Sequence, residues 1–151
     1  MALVQNPSLP KEKIKFLLLE GIAETAVEAL ANAGYVNVER LPKALDGEAL
    51  TAALRGVRVL GIRSRSQITK PIIEAANTLI GVGCFSVGTN QIDLDAARLR
   101  GIPVFNAPFS NTRSVAELTI AEIVMLFRRI FPRSTAAHQG GWEKSATGSR
   151  E

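Results

Sequence analysis

The sequence predicts an α/β fold with a parallel five-stranded sheet. Five apolar runs of four to seven residues alternate with stretches of helical character, which is the pattern of successive βα units. The 151 residues, 46% of them hydrophobic and 21% charged, suffice for one folded core and do not have the composition of a disordered chain. The predicted strands are 14–19, 35–41, 57–62, 78–82 and 102–105.

The stretches between the predicted strands carry signals for four helices. Their first turns contain residues that favour a helix N-terminus, and glycines follow where helices commonly end. Helices that connect parallel strands cover the sheet, so we expect them on both of its faces. The predicted helices are 24–33, one that starts at Asp46 and ends before Gly56, one opened by Thr69 and Pro71, and one from Asp93 to Gly101.

A fifth helix follows the last predicted strand. The S-x-x-E pattern of 114–117 is typical of a capping box, in which Ser114 and Glu117 satisfy each other's backbone N–H groups. The next ten residues, LTIAEIVMLF, are apolar on nearly every side, so we expect protein to cover them, by self-association or from outside this domain. They reach about half of the ~20 residues that a membrane span requires. Arg128, Arg129 and Pro132 are expected to end the helix before a polar tail.

Charge and cysteine content exclude several functional classes. The chain has 18 basic and 14 acidic side chains, and its net charge of +4 is too small and too scattered for a nucleic-acid surface. It favours a small acidic ligand. The single cysteine, Cys84, cannot form an intrachain disulfide, and the N-terminus lacks the apolar run of a secretion signal, which favours the cytoplasm.

Few residues have the pattern of a catalytic or metal centre. Cys84 lies among apolar residues without a second ligand nearby, which indicates a buried small side chain. His138 is the only histidine and lies in the polar tail without a paired carboxylate, so we do not expect it to act as a general base. The sequence predicts no metal site and no catalytic residue in this chain.

The segment after the third predicted strand is the best candidate for an anion site. Arg63, Ser64, Arg65 and Ser66 alternate guanidinium and hydroxyl groups at the edge of the sheet where open α/β folds bind ligands. Guanidinium groups donate forked hydrogen bonds that match carboxylate and phosphate oxygens. The alternative is a solvated basic loop without a ligand.

A glycine-rich segment follows the fourth predicted strand. Its start, Gly81-Val-Gly83-Cys-Phe-Ser86, resembles a dinucleotide fingerprint only superficially, because no helix opens directly after it and Asn106 occupies the place of the ribose-binding acid. The glycines at 81, 83 and 88 either let the backbone approach a ligand, with amides exposed around 85–87, or form a turn that needs positive φ.

Asn111 and Arg113 precede the fifth helix. The amide of Asn111 is placed to orient a carboxylate or hydroxyl group, whereas Arg113 is expected to meet solvent or a nearby acid. An anion site without a general base, metal cluster or nucleotide loop is less than a complete enzyme requires.

Three segments resemble a known family. The motifs are GIRSRSQIT, VGCFSVGTNQIDLDAARLRGIPVFNAPFSNTRSVAELTIAEIV and HQGGWEKSATGSRE. In this order they are similar to the N-terminal part of the D-isomer-specific 2-hydroxyacid dehydrogenases, in particular of the branch that acts on 3-phosphoglycerate. The resemblance implies a flavodoxin-like substrate-binding domain of a cytoplasmic NAD-dependent oxidoreductase that oxidises 3-phosphoglycerate to 3-phosphohydroxypyruvate in serine biosynthesis. It further implies that this chain is a truncated piece, inactive alone, without the nucleotide-binding domain.

The resemblance also implies roles for individual residues. The substrate-anion loop of the family is matched by Arg63, Ser64 and Arg65. A backbone loop that faces substrate and nicotinamide is matched by Phe85, Ser86, Val87 and Gly88. Asn111 matches an amide beside the ligand, and Lys144 matches a basic residue that approaches a neighbouring active site. Val87 is the one candidate for cofactor contact. The implied organisation is an arm over 1–12, a substrate-binding domain over 13–113 and an inter-domain helix with the start of a second domain over 114–151.

Two alternatives stay open at this stage. The parent enzyme could act on another D-2-hydroxy acid, although a pair of arginines favours a phosphorylated one. The chain could also be a stand-alone anion-binding regulator. A signalling receiver domain has a similar layout but requires a phosphoacceptor aspartate after the third strand, where this chain has Arg63.

Overall fold

The computed structural model describes residues 9–142, 144–145 and 147–150. The chain forms two compact units, 1–110 and 111–151. The first unit contains five strands: β1 (Phe16–Leu18), β2 (Val38–Arg40), β3 (Val59–Ile62), β4 (Gly81–Cys84) and β5 (Val104–Asn106). Its helices are α1 (Glu24–Asn32), α2 (Gly47–Ala53), α3 (Lys70–Ala75) and α4 (Leu94–Leu99).

All strand pairs are parallel, and the strand order is β2-β1-β3-β4-β5. This confirms the predicted α/β class. The order is that of a flavodoxin-like sheet, which reverses its direction of growth between β1 and β3. The carboxyl ends of these two neighbouring strands therefore frame the crevice where open sheets bind ligands.

The main core lies on one face of the sheet. Leu17, Leu60 and Val82 are register partners across three neighbouring strands, and all are buried. Residues of α2, α3 and α4 pack against them, whereas α1 lies on the other face. Helices thus cover both faces, as the sequence predicts.

The predicted elements of the first unit are present, but the strands are shorter than predicted: β1, β2 and β3 lie inside the predicted 14–19, 35–41 and 57–62, and β5 starts two residues after the predicted 102. Asp93 caps α4, because its Oδ1 accepts a hydrogen bond of 2.9 Å from the N–H of Ala96. Asp46 and Thr69 precede their helices without a side-chain cap. The fourth strand is displaced, since the sequence predicts 78–82 and the structure has Gly81–Cys84. Pairing with β3 and β5 imposes extended structure on a glycine-rich segment of low intrinsic strand preference.

The predicted arm over 1–12 lies mostly outside the described residues. Lys11–Lys13 form a single 3-10 turn. The Lys11 Nζ donates to the Ala33 carbonyl at 2.9 Å, and it lies 5.3 Å from the centre of the Tyr35 ring. This side chain therefore ties the described end of the arm to the end of α1.

The second unit contains α5 (Thr112–Phe127) and α6 (Ile130–His138). The predicted capping box is wrong: α5 begins two residues before Ser114, and Glu117 instead pairs with Arg113 at 2.7 Å. The sequence pattern does not predict α6, because a proline commonly ends a helix. In the structure Pro132 lies in the first turn of α6, where a missing N–H costs nothing.

The apolar residues of α5 are exposed. No residue of this helix is buried, and Leu118, Ile120, Val124 and Leu126 are each more than half exposed. The helix is 16 residues long, and no helix within the described part of the chain has the length and apolar character to cross a bilayer. Cover by self-association or by another protein stays a prediction.

Candidate functional site

The arginine loop, residues 63–66, leaves the carboxyl end of β3 beside β1. The structure therefore places Arg63, Ser64 and Arg65 at the point where the sheet reverses its direction of growth. All three are exposed, while Ser66 is fully buried. Helix α3 starts only at Lys70, so its N-terminus does not immediately follow the loop.

A buried carboxylate organises this loop. The Glu20 Oε1 accepts hydrogen bonds from the N–H groups of Arg63 (3.3 Å) and Ser66 (2.9 Å), and its Oε2 accepts from those of Ser64 (3.1 Å) and Arg65 (3.0 Å). The Arg65 Nε lies 3.7 Å from the same Oε2. Because Glu20 accepts from four consecutive N–H groups, the backbone donors of this loop are already engaged, and only its side chains are free to meet a ligand.

The chain enters this arrangement through a left-handed turn. Glu20 has φ of +61° and Gly21 has φ of +66°, directly after β1. A non-glycine residue in this region is strained, and such strain persists where surrounding contacts determine it. The N–H of Glu20 donates to the Lys43 carbonyl at 3.0 Å and that of Gly21 to the Leu41 carbonyl at 3.2 Å. The turn thus directs the Glu20 side chain from β1 towards the end of β3.

The same hydrogen bonds change the acidity of Glu20. Burial by itself raises the pKa of this carboxyl, but hydrogen bonds from the Ser66 and Arg65 backbone, the Ser66 hydroxyl and the Arg63 backbone outweigh it. The pKa of Glu20 therefore lies below its ordinary value of 4.5. The group is ionised at neutral pH although only 4% of the residue is exposed.

We expect Glu20 to make folding stability depend on acid pH. Because the folded-state pKa is the lower one, the folded protein binds fewer protons than the unfolded chain in this range. The stabilisation is complete above pH 4.5, the ordinary value, and is lost as the pH falls through the folded-state value. Urea unfolding from pH 7 to 3 should show a steeper loss of stability for the wild type than for Glu20→Gln. Parallel curves would contradict the assignment.

A second loop, residues 85–88, lies beside the arginine loop and is joined to it by Gln91. The buried Gln91 Nε2 donates to the Arg63 carbonyl at 2.6 Å and lies 3.2 Å from the Ser86 Oγ. The N–H of Phe85 donates to the Ile62 carbonyl at 2.7 Å. These contacts bring two of the predicted substrate-binding segments together at one edge of the sheet.

The second loop presents backbone amides. Two of its carbonyl groups are engaged, since Ser86 O accepts from the Ala107 N–H at 3.1 Å and Val87 O from the Asn106 Nδ2 at 2.7 Å. Within the described residues, the N–H groups of Ser86, Val87 and Gly88 meet no acceptor. These amides are therefore available to an anionic group, unlike those of the arginine loop.

The glycines of this segment do not form a positive-φ turn. Gly81, Gly83 and Gly88 are absent from the residues with positive φ, so that alternative is wrong. Gly81 and Gly83 instead lie within β4, and α4 begins only at Leu94. The segment thus lacks the strand–turn–helix geometry of a dinucleotide fingerprint.

The ring of Phe85 lies on the sheet face covered by α1. A Cβ at Gly61 would be 2.6 Å from the Leu18 Cδ2 and 3.3 Å from the Phe85 Cε2, so the ring and Leu18 use the space that this glycine leaves. The ring borders an apolar cavity of about 370 Å³ between α1 and the sheet. Phe85 therefore contributes its backbone to the second loop and its ring to the packing behind it.

The predicted burial of Cys84 is confirmed, but its thiol has polar neighbours. The Sγ lies 3.0 Å from the Ser86 Oγ, 2.9 Å from the Gln91 Nε2 and 3.3 Å from the Gly88 carbonyl.

His138 ends α6, and its Nδ1 lies 2.8 Å from the Ser134 carbonyl. No group of three metal-ligating side chains occurs within 9–142, 144–145 and 147–150.

Two predicted site residues belong to the second unit. Asn111 precedes α5 and makes no side-chain cap, and Lys144 is exposed after α6. Their participation stays a prediction.

Sequence reasoning missed Glu20 and did not assign Gln91 a role at the site. An acidic residue directly after the first strand and before a glycine was the available signal for Glu20, because β1 is one of the two strands that frame the crevice.

The sequence is similar to that of two bacterial enzymes. The chain is 56% identical over 144 residues to D-3-phosphoglycerate dehydrogenase of Haemophilus influenzae and 54% identical over 144 residues to that of Escherichia coli. Each alignment covers 95% of this chain and 35% of the relative, so the chain spans about a third of the length of these proteins.

A solved structure shows the same architecture at low sequence identity. The D-lactate dehydrogenase of Aquifex aeolicus, in complex with NAD and lactic acid, superposes with a TM-score of 0.77 at 20% identity, covering 91% of this chain and 41% of that one. Residues 16–148 match the family described as D-isomer specific 2-hydroxyacid dehydrogenase, catalytic domain. The chain therefore belongs to the D-isomer specific 2-hydroxyacid dehydrogenases.

Proposed function

We propose that this chain is the substrate-binding part of an NAD-dependent D-3-phosphoglycerate dehydrogenase, which oxidises 3-phosphoglycerate to 3-phosphohydroxypyruvate in serine biosynthesis. The identity of 56% and 54% to two such enzymes supports this assignment. The structural observation that carries it is the exposed pair Arg63 and Arg65 at the reversal point of the sheet. We infer no catalytic activity for the 151 residues alone.

The two loops divide the recognition of this substrate. 3-Phosphoglycerate carries a phosphate and a carboxylate, and guanidinium groups bind both with charge-assisted hydrogen bonds. Uncharged donors are offered by the backbone amides of Ser86, Val87 and Gly88, for whichever of the two substrate groups, phosphate or carboxylate, the arginines do not bind. Ser64, Asn111 and Lys144 remain candidate contacts, and Lys144 would act at a neighbouring site in an assembled enzyme.

NAD is assigned to the parent enzyme and not to these residues. The glycine segment 81–88 does not fit a dinucleotide, because Gly81 and Gly83 lie inside β4 and no helix N-terminus follows them directly. We place the NAD site outside this chain, with Val87 as the only candidate for contact with nicotinamide. The residues of this chain accordingly bind and orient the substrate and take no part in moving the hydride.

We further assign an organisation to the parent enzyme. In this proposal residues 13–113 belong to the substrate-binding domain, and 114–151 contain an inter-domain helix and the start of the nucleotide-binding domain. The exposed apolar residues of α5 support contact with that domain or with a second copy of the chain. The single, buried thiol of Cys84 supports a reducing compartment, the cytoplasm.

Titration of the 151-residue chain with 3-phosphoglycerate and with glycerate tests the substrate. Glycerate lacks the phosphate but keeps the 2-hydroxy acid, so it is the matched control ligand. We expect 3-phosphoglycerate to bind at least roughly tenfold more tightly than glycerate. Calorimetry, or the NMR shifts of residues 63–66 and 85–88, measures both affinities. Equal or tighter binding of glycerate would assign the parent enzyme to another D-2-hydroxy acid.

A further inference from the structure

We propose that Glu20 is a positioning residue for anion binding, whose ionised carboxylate holds the arginine loop in the conformation that presents Arg63 and Arg65 to the ligand. The identity of that ligand, 3-phosphoglycerate, rests on the proposed function. The role of Glu20 rests on geometry within the first unit.

The contacts of Glu20 are of the kind that fix a loop. Four consecutive N–H groups, from Arg63 to Ser66, converge on two oxygens of one buried carboxylate at 2.9–3.3 Å. A neutral amide at this position would turn its NH₂ group towards some of these donors. The loop would then lose acceptors and have to rearrange.

Glu20 does not contact the ligand itself. Its side chain is 1% exposed, whereas that of Arg65 is 66% exposed. Its charge would weaken anion binding if Coulomb interactions alone decided the outcome, because the Arg65 Nε lies only 3.7 Å from the Glu20 Oε2. The positioning role and the bare charge therefore predict opposite effects of removing this carboxylate.

The test compares Glu20→Gln with the wild type in the 151-residue chain. We expect 3-phosphoglycerate to bind roughly tenfold more weakly to Glu20→Gln, because the rearranged loop no longer presents both arginines. Glu28→Gln, an exposed position in α1, removes the same charge and should bind as the wild type does. Glu20→Asp keeps the charge on a shorter side chain and should restore part of the affinity.

A second readout separates this proposal from the proposed function. Hydrogen exchange of the Arg65 and Ser66 amides should be roughly tenfold faster in Glu20→Gln and unchanged in Glu28→Gln. Tighter or equal binding of 3-phosphoglycerate by Glu20→Gln would overturn the proposal.

If the wild type binds no 3-phosphoglycerate, the proposed function fails, and the positioning role is decided by this exchange together with titration of inorganic phosphate. If Glu20→Gln does not fold, the same measurements on Glu20→Asp decide it.

Discussion

Replacement of both Arg63 and Arg65 by alanine is expected to abolish measurable binding of 3-phosphoglycerate. Hydrogen bonds to charged groups contribute about 1.5–3 kcal/mol each, so the loss of two guanidinium groups should weaken binding by roughly a hundredfold or more. Each single variant should lose roughly tenfold or more. Lysine at either position should recover only part of the affinity, because an ammonium group lacks the planar fork of a guanidinium. Calorimetric titration measures all of these effects.

Arg55→Ala is the matched control for the arginine variants. Arg55 is exposed but precedes β3, whereas Arg63 and Arg65 follow it, so it lies on the approach to the opposite edge of the sheet. We expect Arg55→Ala to bind 3-phosphoglycerate as the wild type does. Unchanged binding by a folded double variant of Arg63 and Arg65 would place the anion site elsewhere.

Leu60→Ala is expected to destabilise the first unit by about 2–5 kcal/mol. Leu60 is 0% exposed in β3, with Leu17 and Val82 as its register partners on either side. Its truncation leaves a cavity at the centre of the main core, which neighbouring strands can close only in part. Since whole domains are stable by about 5–15 kcal/mol, this is a large fraction of the total. Urea unfolding followed by far-ultraviolet circular dichroism measures the change in the free energy of unfolding.

Leu99→Ala provides the comparison for the core variant. Leu99 lies in α4 and is 75% exposed, so its replacement should change the free energy of unfolding by no more than about 0.5 kcal/mol. A similar small effect of Leu60→Ala would contradict the assignment of Leu60 to the core.

The sequence pattern was most informative where local chemistry determines structure. Runs of apolar residues located β1, β2, β3 and β5, and Asp93 marked the start of α4, because strand-forming apolar runs and helix capping act over a few neighbouring residues. The displacement of β4 has the opposite origin. Its glycines have little preference for a strand, and hydrogen bonds from two neighbouring strands decide where it runs.

In the second unit, two sequence motifs with the right residue types and spacing predict the wrong helix boundary. Ser114 and Glu117 have capping-box spacing, yet the helix begins earlier and Glu117 pairs with Arg113. Pro132 is typical of a helix end, yet it lies in the first turn of α6, after Arg129 takes a left-handed conformation with φ of +52°. In both places two local outcomes are compatible with the same residues, and the conformation of the neighbouring backbone decides between them.

The amino-acid sequence alone determined the α/β class, the succession of elements and the candidate role of Arg63 and Arg65, since these follow from periodicity and side-chain chemistry. Only the tertiary structure decided the strand order, which places β1 against β3 and brings Glu20 to Ser66 across 46 residues. Pairing between distant segments depends on how the whole sheet packs, and no local pattern in the chain encodes it. The hydrogen bonds between the Glu20 carboxylate and the arginine loop are therefore seen only in the folded protein.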